Sequence, residues 1–212
     1  MSKITKVIFE LTELEKAVIP ESLSKIIDPR RIEEIINRWK KNPMTIPYIA
    51  KVTVNMSIGE GGEKLMRAMK LLEQITGAKP VPRRAKRTIR EFNVRRGENI
   101  ATIVTLRGEM ADSFLRRIFQ GIGGRINETA FDPYGNVSLG VKEHLVIPGT
   151  RYDPEIGIFG MDIAITFEKK GYRVAKRRRK RSRIPRRHRV SKEEAMILLT
   201  LKYNISIIPS SK

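Results

Sequence analysis

IAKVTVNMSIGEGGEKLMRAMKLLEQITG, residues 49–77, carries the change of period that decides the fold. From Ile49, residues Ala50, Val52, Val54 and Met56 point one way and Lys51, Thr53 and Asn55 the other, as in a strand with one buried face. Gly59-Glu60-Gly61-Gly62 then turns the chain. A helical period follows to about Thr76, with Leu65, Met69, Leu72 and Ile75 inward and Gly77 as a left-handed cap. A second strand and helix follow downstream, with no internal repeat of sequence. Ile100 to Arg107 reads as a strand with Ile100, Val104 and Leu106 on the inner face and Thr105 and Arg107 on the outer one; Met110 to Phe119 reads as a helix around Phe114, Leu115 and Ile118.

Working outward, Asp132-Pro133-Tyr134-Gly135-Asn136 is a strong turn signal. Strands are predicted at Val137–Val141, at Met161–Phe167 and, as a further short candidate, at Leu145–Ile147. In Met161–Phe167 the apolar Met161, Ile163, Ile165 and Phe167 alternate with Asp162, Ala164 and Thr166. Ser191 opens a last helix as a capping box with Glu194. On the N-terminal side, residues 1–42 read as a helical extension. Ile4, Val7, Ile8, Leu11, Leu14 and Val18 follow helical spacing. A second helix has Asp28 as N-cap, Pro29 at its first position, a face of Ile32, Ile35, Ile36 and Trp39, and a stop at Asn42-Pro43. The element order predicts an α+β fold for residues 43–212: a largely antiparallel sheet, helices packed on one face, and the other face open to a ligand.

Charge says what kind of ligand. From Arg173 to Arg189 the chain reads RVAKRRRKRSRIPRRHR, in which eleven of seventeen residues are Lys or Arg and none is acidic. Such neighbours repel, and a dense polyanion relieves the repulsion while releasing its own condensed counterions. Nucleic acid is the fitting partner, with an anionic membrane far behind; a solvated or nuclear-targeting tail fits less well, because an ordered-looking segment follows the run. The formal charge of the whole chain is +20, so the remainder is basic too. A second basic stretch, Arg83 to Arg96, interleaves seven cations with Ile89 and Phe92, and Phe92 is placed either in a small core of that loop or against a nucleotide base.

Chemistry is poorly provided for. The Gly59–Gly62 turn lacks the Gly-Lys-Ser/Thr of a phosphate-binding loop, and Glu60 and Glu63 already occupy the positive end of the following helix. His144 and His188 belong to no acid–base motif, and His188, inside the basic run, is expected to contact RNA. There is no cysteine, no metal-ligand spacing, no signal-peptide core and no run of about 18 apolar residues. No enzyme, cofactor, metal or membrane role is expected, and the protein is placed in the cytoplasm.

Several long motifs resemble one family, large-subunit ribosomal protein five, the 5S rRNA-binding protein of the central protuberance. They are Asn42-Pro43-Met44, VTVNMSIGEGG (Val52–Gly62), LLEQITGAKPV (Leu71–Val81), VTLRG (Val104–Gly108), GVKEHLVIPG (Gly140–Gly149), YDPEIGIFGMDIAI (Tyr152–Ile165) and HRVSKEEA (His188–Ala195). The first and last resemble the archaeal and eukaryotic branch, and the lack of cysteine and of a targeting segment favours an archaeal type. The resemblance implies a protein that binds 5S rRNA through the open sheet face and attaches it to the large-subunit rRNA. It also implies contact with the P-site tRNA through a projecting loop, with small-subunit protein thirteen in an intersubunit bridge, and with other large-subunit proteins of the central protuberance.

Carried over by motif, the family's RNA-contacting residues fall on Asn55, Thr105 and Arg107, the side chains the strand pattern already places outward; Lys51 and Thr53 share that face. The family's usual glutamine after the helix-ending glycine is Ala78 here, which leaves Lys79 as the substitute contact. The tRNA loop corresponds to residues 85–95, with Lys86, Arg87, Arg90, Phe92 and Arg95. The basic arm, 173–189, brings Arg173, Lys176, Arg177, Arg178, Arg179, Lys180, Arg181, Arg183, Arg186, Arg187 and Arg189 to rRNA. The rival readings are a nucleic-acid-processing enzyme, which would need a convergent His or carboxylate cluster, and a non-specific DNA binder, which would bind any duplex equally.

Overall fold

A computed structural model describes residues 21–24 and 26–209. In chain order the helices are α1 (Glu21–Ser24), α2 (Pro29–Lys41), α3 (Glu63–Thr76), α4 (Gly108–Gly121), α5 (Arg173–Lys176) and α6 (Lys192–Tyr203). The strands are β1 (Tyr48–Ser57), β2 (Val81–Arg84), β3 (Asn99–Leu106), β4 (Arg125–Asn127), β5 (Val137–Val141), β6 (Met161–Glu168) and β7 (Ser206–Ile208). The architecture is α+β, as expected. The helix expected over Ile4–Val18 lies outside the described residues. The chain forms two compact units, one of Ala50–Gly123 with Ser138–Ile165, the other of Gly124–Val137 with the segments up to Ile49 and from Thr166.

The first unit is built on a mostly antiparallel five-stranded sheet of order β2-β3-β1-β6-β5. The alternation that marks β1 in the sequence sets its register: Val52 opposes Leu106, Val54 opposes Val104 and Met56 opposes Thr102, and all six are buried. In β6, Met161, Ile163 and Ile165 are buried while Asp162 and Ala164 are exposed. Helix α3 lies against β3 and buries Leu65, Leu72 and Ile75, joined by Ala68 and Leu71, while Met69 is only half-buried. Gly77 ends it at φ 68°, a left-handed conformation any side chain would strain, and its N–H reaches the Glu73 carbonyl at 2.8 Å. Helix α4 buries Ala111, Phe114, Leu115, Ile118 and Phe119.

Two expectations change in this unit. Leu145–Ile147 is not a strand. His144–Val146 form a 3₁₀ turn because the His144 carbonyl accepts from the Ile147 N–H and from the Thr150 hydroxyl, which closes the chain on itself. The His144 ring is buried, and its Nδ1 accepts from the Phe159 N–H at 3.4 Å. Burial holds its pKa below the ordinary histidine value, so the ring is neutral and structural. The second change is β2: Val81–Arg84 pairs antiparallel with β3, although the sequence there reads only as the start of a basic stretch.

The second unit is assembled around α6. Ser191 caps it as anticipated, its hydroxyl accepting from the Glu194 N–H while the Glu194 carboxylate accepts from the Ser191 N–H. Asp28 and Asn42 cap the two ends of α2, which buries Ile32, Ile35 and Trp39 and leaves Ile36 half-buried. Arg31 of α2 bonds Glu193 of α6 at 3.2 Å. Strands β4 and β7, neither evident from periodicity, pair in parallel with Ile126 opposite Ile207, both buried. At the Asp132 turn, one carboxylate oxygen accepts from the N–H of Tyr134 (2.9 Å) and of Asn136 (2.6 Å). Gly135, at φ 76°, sits so close to Val190 and Ser191 that a Cβ would come within 2.8 Å of the valine side chain.

Lys169 and Glu194 form a buried ion pair at 2.7 Å, with side chains 5% and 3% exposed. Lys169 also donates to the Arg189 carbonyl at 3.1 Å. Removing Lys169 leaves the buried Glu194 carboxylate with only the half-exposed Arg38 guanidinium at 3.9 Å as a cation, a loss of up to about 3–5 kcal/mol. Lys169→Met is therefore expected to lower the unfolding free energy in urea by that amount. Adding Glu194→Gln, which removes the stranded charge but keeps an oxygen for the Ser191 N–H, is expected to recover more than half of it.

Candidate nucleic-acid interface

Each buried side chain in β1 and β3 leaves its neighbour on the opposite surface of the sheet. Thr53 stands directly opposite Thr105, and Asn55 opposite Ile103. Lys51, Thr53 and Asn55 are half-buried, and Thr105 and Arg107 exposed. The face continues onto β2, where Val81 opposes Ile103 and Arg83 opposes Ala101. Arg83 is a cation of this face that periodicity missed; it becomes visible only when β2 is paired with β3. Lys79 is exposed two residues before β2. Arg107 is positioned as well as exposed: one guanidinium N–H donates to the Ala50 carbonyl at 3.1 Å. A guanidinium has five donors in a rigid fork, so the rest stay available to a phosphate or base edge.

The 85–95 loop is an ordered extension of the β2–β3 hairpin. Ala85 and Glu98 continue the pairing through an N–H to carbonyl bond of 2.7 Å. Ile89 and Val94 exchange both backbone bonds, at 2.9 and 3.1 Å. Between them Asn93 takes the left-handed conformation that asparagine tolerates. Ala85 and Val94 are the buried side chains of the loop. Phe92 is 72% exposed, so it does not fill a core within the loop. Lys86, Arg87, Arg90 and Arg95 are exposed too, and none has an ion-pair partner among the described residues.

The basic arm, in the other unit, is a folded excursion. It begins with the single turn α5, is drawn back by the Ser182 N–H to the Val174 carbonyl (3.2 Å), and ends in a 3₁₀ turn at Arg186–His188. Arg177 donates to the Lys180 carbonyl at 2.8 Å. Lys176 is engaged by Glu168 and is the one arm cation with an acidic partner among the described residues. Arg189 is half-buried, its guanidinium 5.1 Å from the centre of the Tyr134 ring. Arg178, Arg179, Lys180, Arg181, Arg183, Arg186 and Arg187 are exposed. His188 departs from expectation. Its Nε2 donates to the Lys170 carbonyl at 2.8 Å and its ring faces Tyr172, so it holds the arm in place and does not reach outward. Burial pushes the Tyr172 phenol above its ordinary pKa and keeps it protonated.

Among the described residues no His, Cys, Asp and Glu side chains gather at a metal-ligating distance, and no helix is long and apolar enough to cross a membrane. A sheet face with a positioned arginine, a basic hairpin tip and a dense arm are thus exposed cationic surfaces carried on an α+β fold. Comparison with known proteins narrows this to one family. Residues 42–95 match the family described as Ribosomal protein L5, and residues 99–198 match the model of the same ribosomal family's C-terminus. The chain is 54% identical over 183 residues to large ribosomal subunit protein uL5 of Aeropyrum pernix, covering 86% of this chain and 95% of that protein. The corresponding proteins of Sulfurisphaera tokodaii and Methanosphaera stadtmanae are 57% and 48% identical, over 79% and 78% of this chain and 95% and 99% of their own lengths. The chain belongs to the ribosomal protein L5 family, in its archaeal form. It is a structural, non-enzymatic constituent of the large ribosomal subunit.

Proposed function

We propose that within the large subunit this protein binds 5S rRNA through the outer face of its five-stranded sheet and ties it to the large-subunit rRNA. The observation that carries the reading is the alignment of Lys51, Thr53, Asn55, Thr105 and Arg107 on one accessible face whose reverse side is core. Thr53, Asn55 and Thr105 offer short hydrogen-bonding groups and Arg107 a fork already oriented by Ala50. That combination suits the sugar–phosphate edge of a folded RNA, read by shape and 2′-hydroxyls. Lys79 adds a cation beside this face where Ala78 has no polar group. The arm supplies phosphate contacts to rRNA. The 85–95 hairpin reaches the P-site tRNA through Lys86, Arg87, Arg90, Phe92 and Arg95, and the partners at its surroundings are small-subunit protein thirteen and other proteins of the central protuberance.

Equilibrium binding to 5S rRNA tests the sheet face. Arg107→Ala is expected to weaken binding by about 1–3 kcal/mol, since charge-assisted bonds are lost. Asn55→Ala is expected to weaken it with little change in salt dependence. Both variants should keep the wild-type unfolding midpoint; loss of stability with unchanged affinity would put these side chains in the fold and not at the RNA.

The arm is tested by its salt dependence. Neutralising Arg178, Arg179, Arg181 and Arg183 together is expected to flatten the plot of log affinity for rRNA against log salt by about 3, from a slope of about −0.7 to −0.9 per phosphate contact. An unchanged slope would leave the arm in solvent or against protein.

For the hairpin, replacing Lys86, Arg87 and Arg90 by Ala is expected to leave 5S rRNA incorporation intact while shortening P-site tRNA retention on assembled ribosomes. The loss should be modest, because contacts of exposed charges are weak. Failed 5S incorporation with normal tRNA retention would make the loop a 5S rRNA anchor instead.

A further inference from the structure

A cavity of about 590 Å³ opens between the Asp132 turn, the end of β6 and the basic arm, all within one unit. This volume lies in the range of about 300–1,000 Å³ that holds small organic ligands. Two planar groups line it, the Tyr134 ring and the Arg189 guanidinium, whose carbon lies over the ring 5.1 Å from its centre. Arg181 and Arg183 bring two further cations to its wall, and Ser182 between them brings a hydroxyl. The acid in the lining, Glu168, is neutralised by Lys176. The cavity therefore presents stacking surface and positive charge together, and its own negative charge is already matched.

An intact RNA helix can use only half of this equipment. Its phosphates can meet Arg181 and Arg183, but its bases are stacked and nothing planar can enter the concavity. A nucleotide turned out of its helix brings both a base for the tyrosine–guanidinium pair and a phosphate for the flanking arginines, which is how single-stranded elements of folded RNA are read. We infer that this cavity receives one extruded nucleotide of an RNA, held by stacking at Tyr134 and Arg189 and by its phosphate at Arg181 and Arg183. The inference rests on the RNA-binding reading above and adds a site of selectivity to an arm whose other cations recognise charge alone. The Asp132 turn gives Tyr134 a rigid seat: the bonds that form it run through the backbone N–H groups of residues 134 and 136, so the side chain can be changed without dismantling it.

The test uses the full-length protein and two RNA duplexes that differ only in a single bulged 2-aminopurine. The wild type is expected to bind the bulged duplex about tenfold tighter than the paired one and to quench the fluorophore on binding. Tyr134→Ala is expected to abolish the preference and the quenching while leaving affinity for the paired duplex and its salt slope unchanged; Tyr134→Phe is expected to retain both. Equal wild-type affinity for the two duplexes, or a preference that survives Tyr134→Ala, would overturn the nucleotide site while leaving RNA binding by the arm in place. Failure to bind either duplex at low salt would overturn the inference together with the RNA-binding reading on which it rests.

Discussion

A single buried ion pair ties down the most highly charged segment of the chain. Lys169 and Glu194 flank the basic arm, and their contact at 2.7 Å closes the excursion at its base. Without such a closure a run of eleven cations would be driven apart by its own repulsion. Glu194 is the carboxylate for Lys169 and the capping partner of Ser191, with the Arg38 guanidinium a third neighbour at 3.9 Å, so the base of the arm and the start of α6 are one construction. Lys169 binds the Arg189 carbonyl as well, and His188 binds the Lys170 carbonyl, so the returning strand of the arm is fastened to its outgoing strand. Buried pairs add little net stability over apolar replacements. What this one supplies is position, because it fixes where an otherwise self-repelling segment leaves the fold.

The sheet unit solves a complementary problem. A five-stranded sheet with helices on one side has a second side that needs neither core nor cover, and here it carries short polar groups and a positioned arginine. Threonine and asparagine suit a strand surface that must remain hydrated before a partner arrives and hydrogen-bonded afterwards. Arg107 is held by the Ala50 carbonyl, which limits the side-chain freedom lost on binding. Positive charge is thus offered in two forms: sparse on the sheet, where Arg107 is pre-oriented, and dense on the arm. In the proposed role the first reads an RNA by shape and the second supplies phosphate contacts.

Much of this was legible in the sequence wherever a local rule had an unambiguous physical cause. The two-residue alternation of Val52, Val54 and Met56 placed Asn55 outward, and the Ser191–Glu194 spacing identified the capping box. Asp132 and Gly135 announced their turn. The elements that escaped were those whose stability comes from distant partners. β2, β4 and β7 are three or four residues long, too short for a period to register, and each exists only because another strand lies beside it. Side chains inside charged stretches were also hard to place. Phe92 points outward because Ala85 and Val94 fill the base of its hairpin, and His188 turns inward to a carbonyl eighteen residues earlier. The pairing of Lys169 with Glu194 had no signal at all, since lysine and glutamate are common and nothing local marks this pair as buried.

Crosslinking within the purified large subunit, with the attached positions mapped on both protein and RNA, is the most direct test of the account. Crosslinks from Lys51, Lys79 and the 103–107 segment should fall on 5S rRNA, and those from residues 178–187 on rRNA. Crosslinks from the sheet face to protein alone, or to large-subunit rRNA with none on 5S rRNA, would contradict the assignment of that face as the 5S rRNA-binding surface.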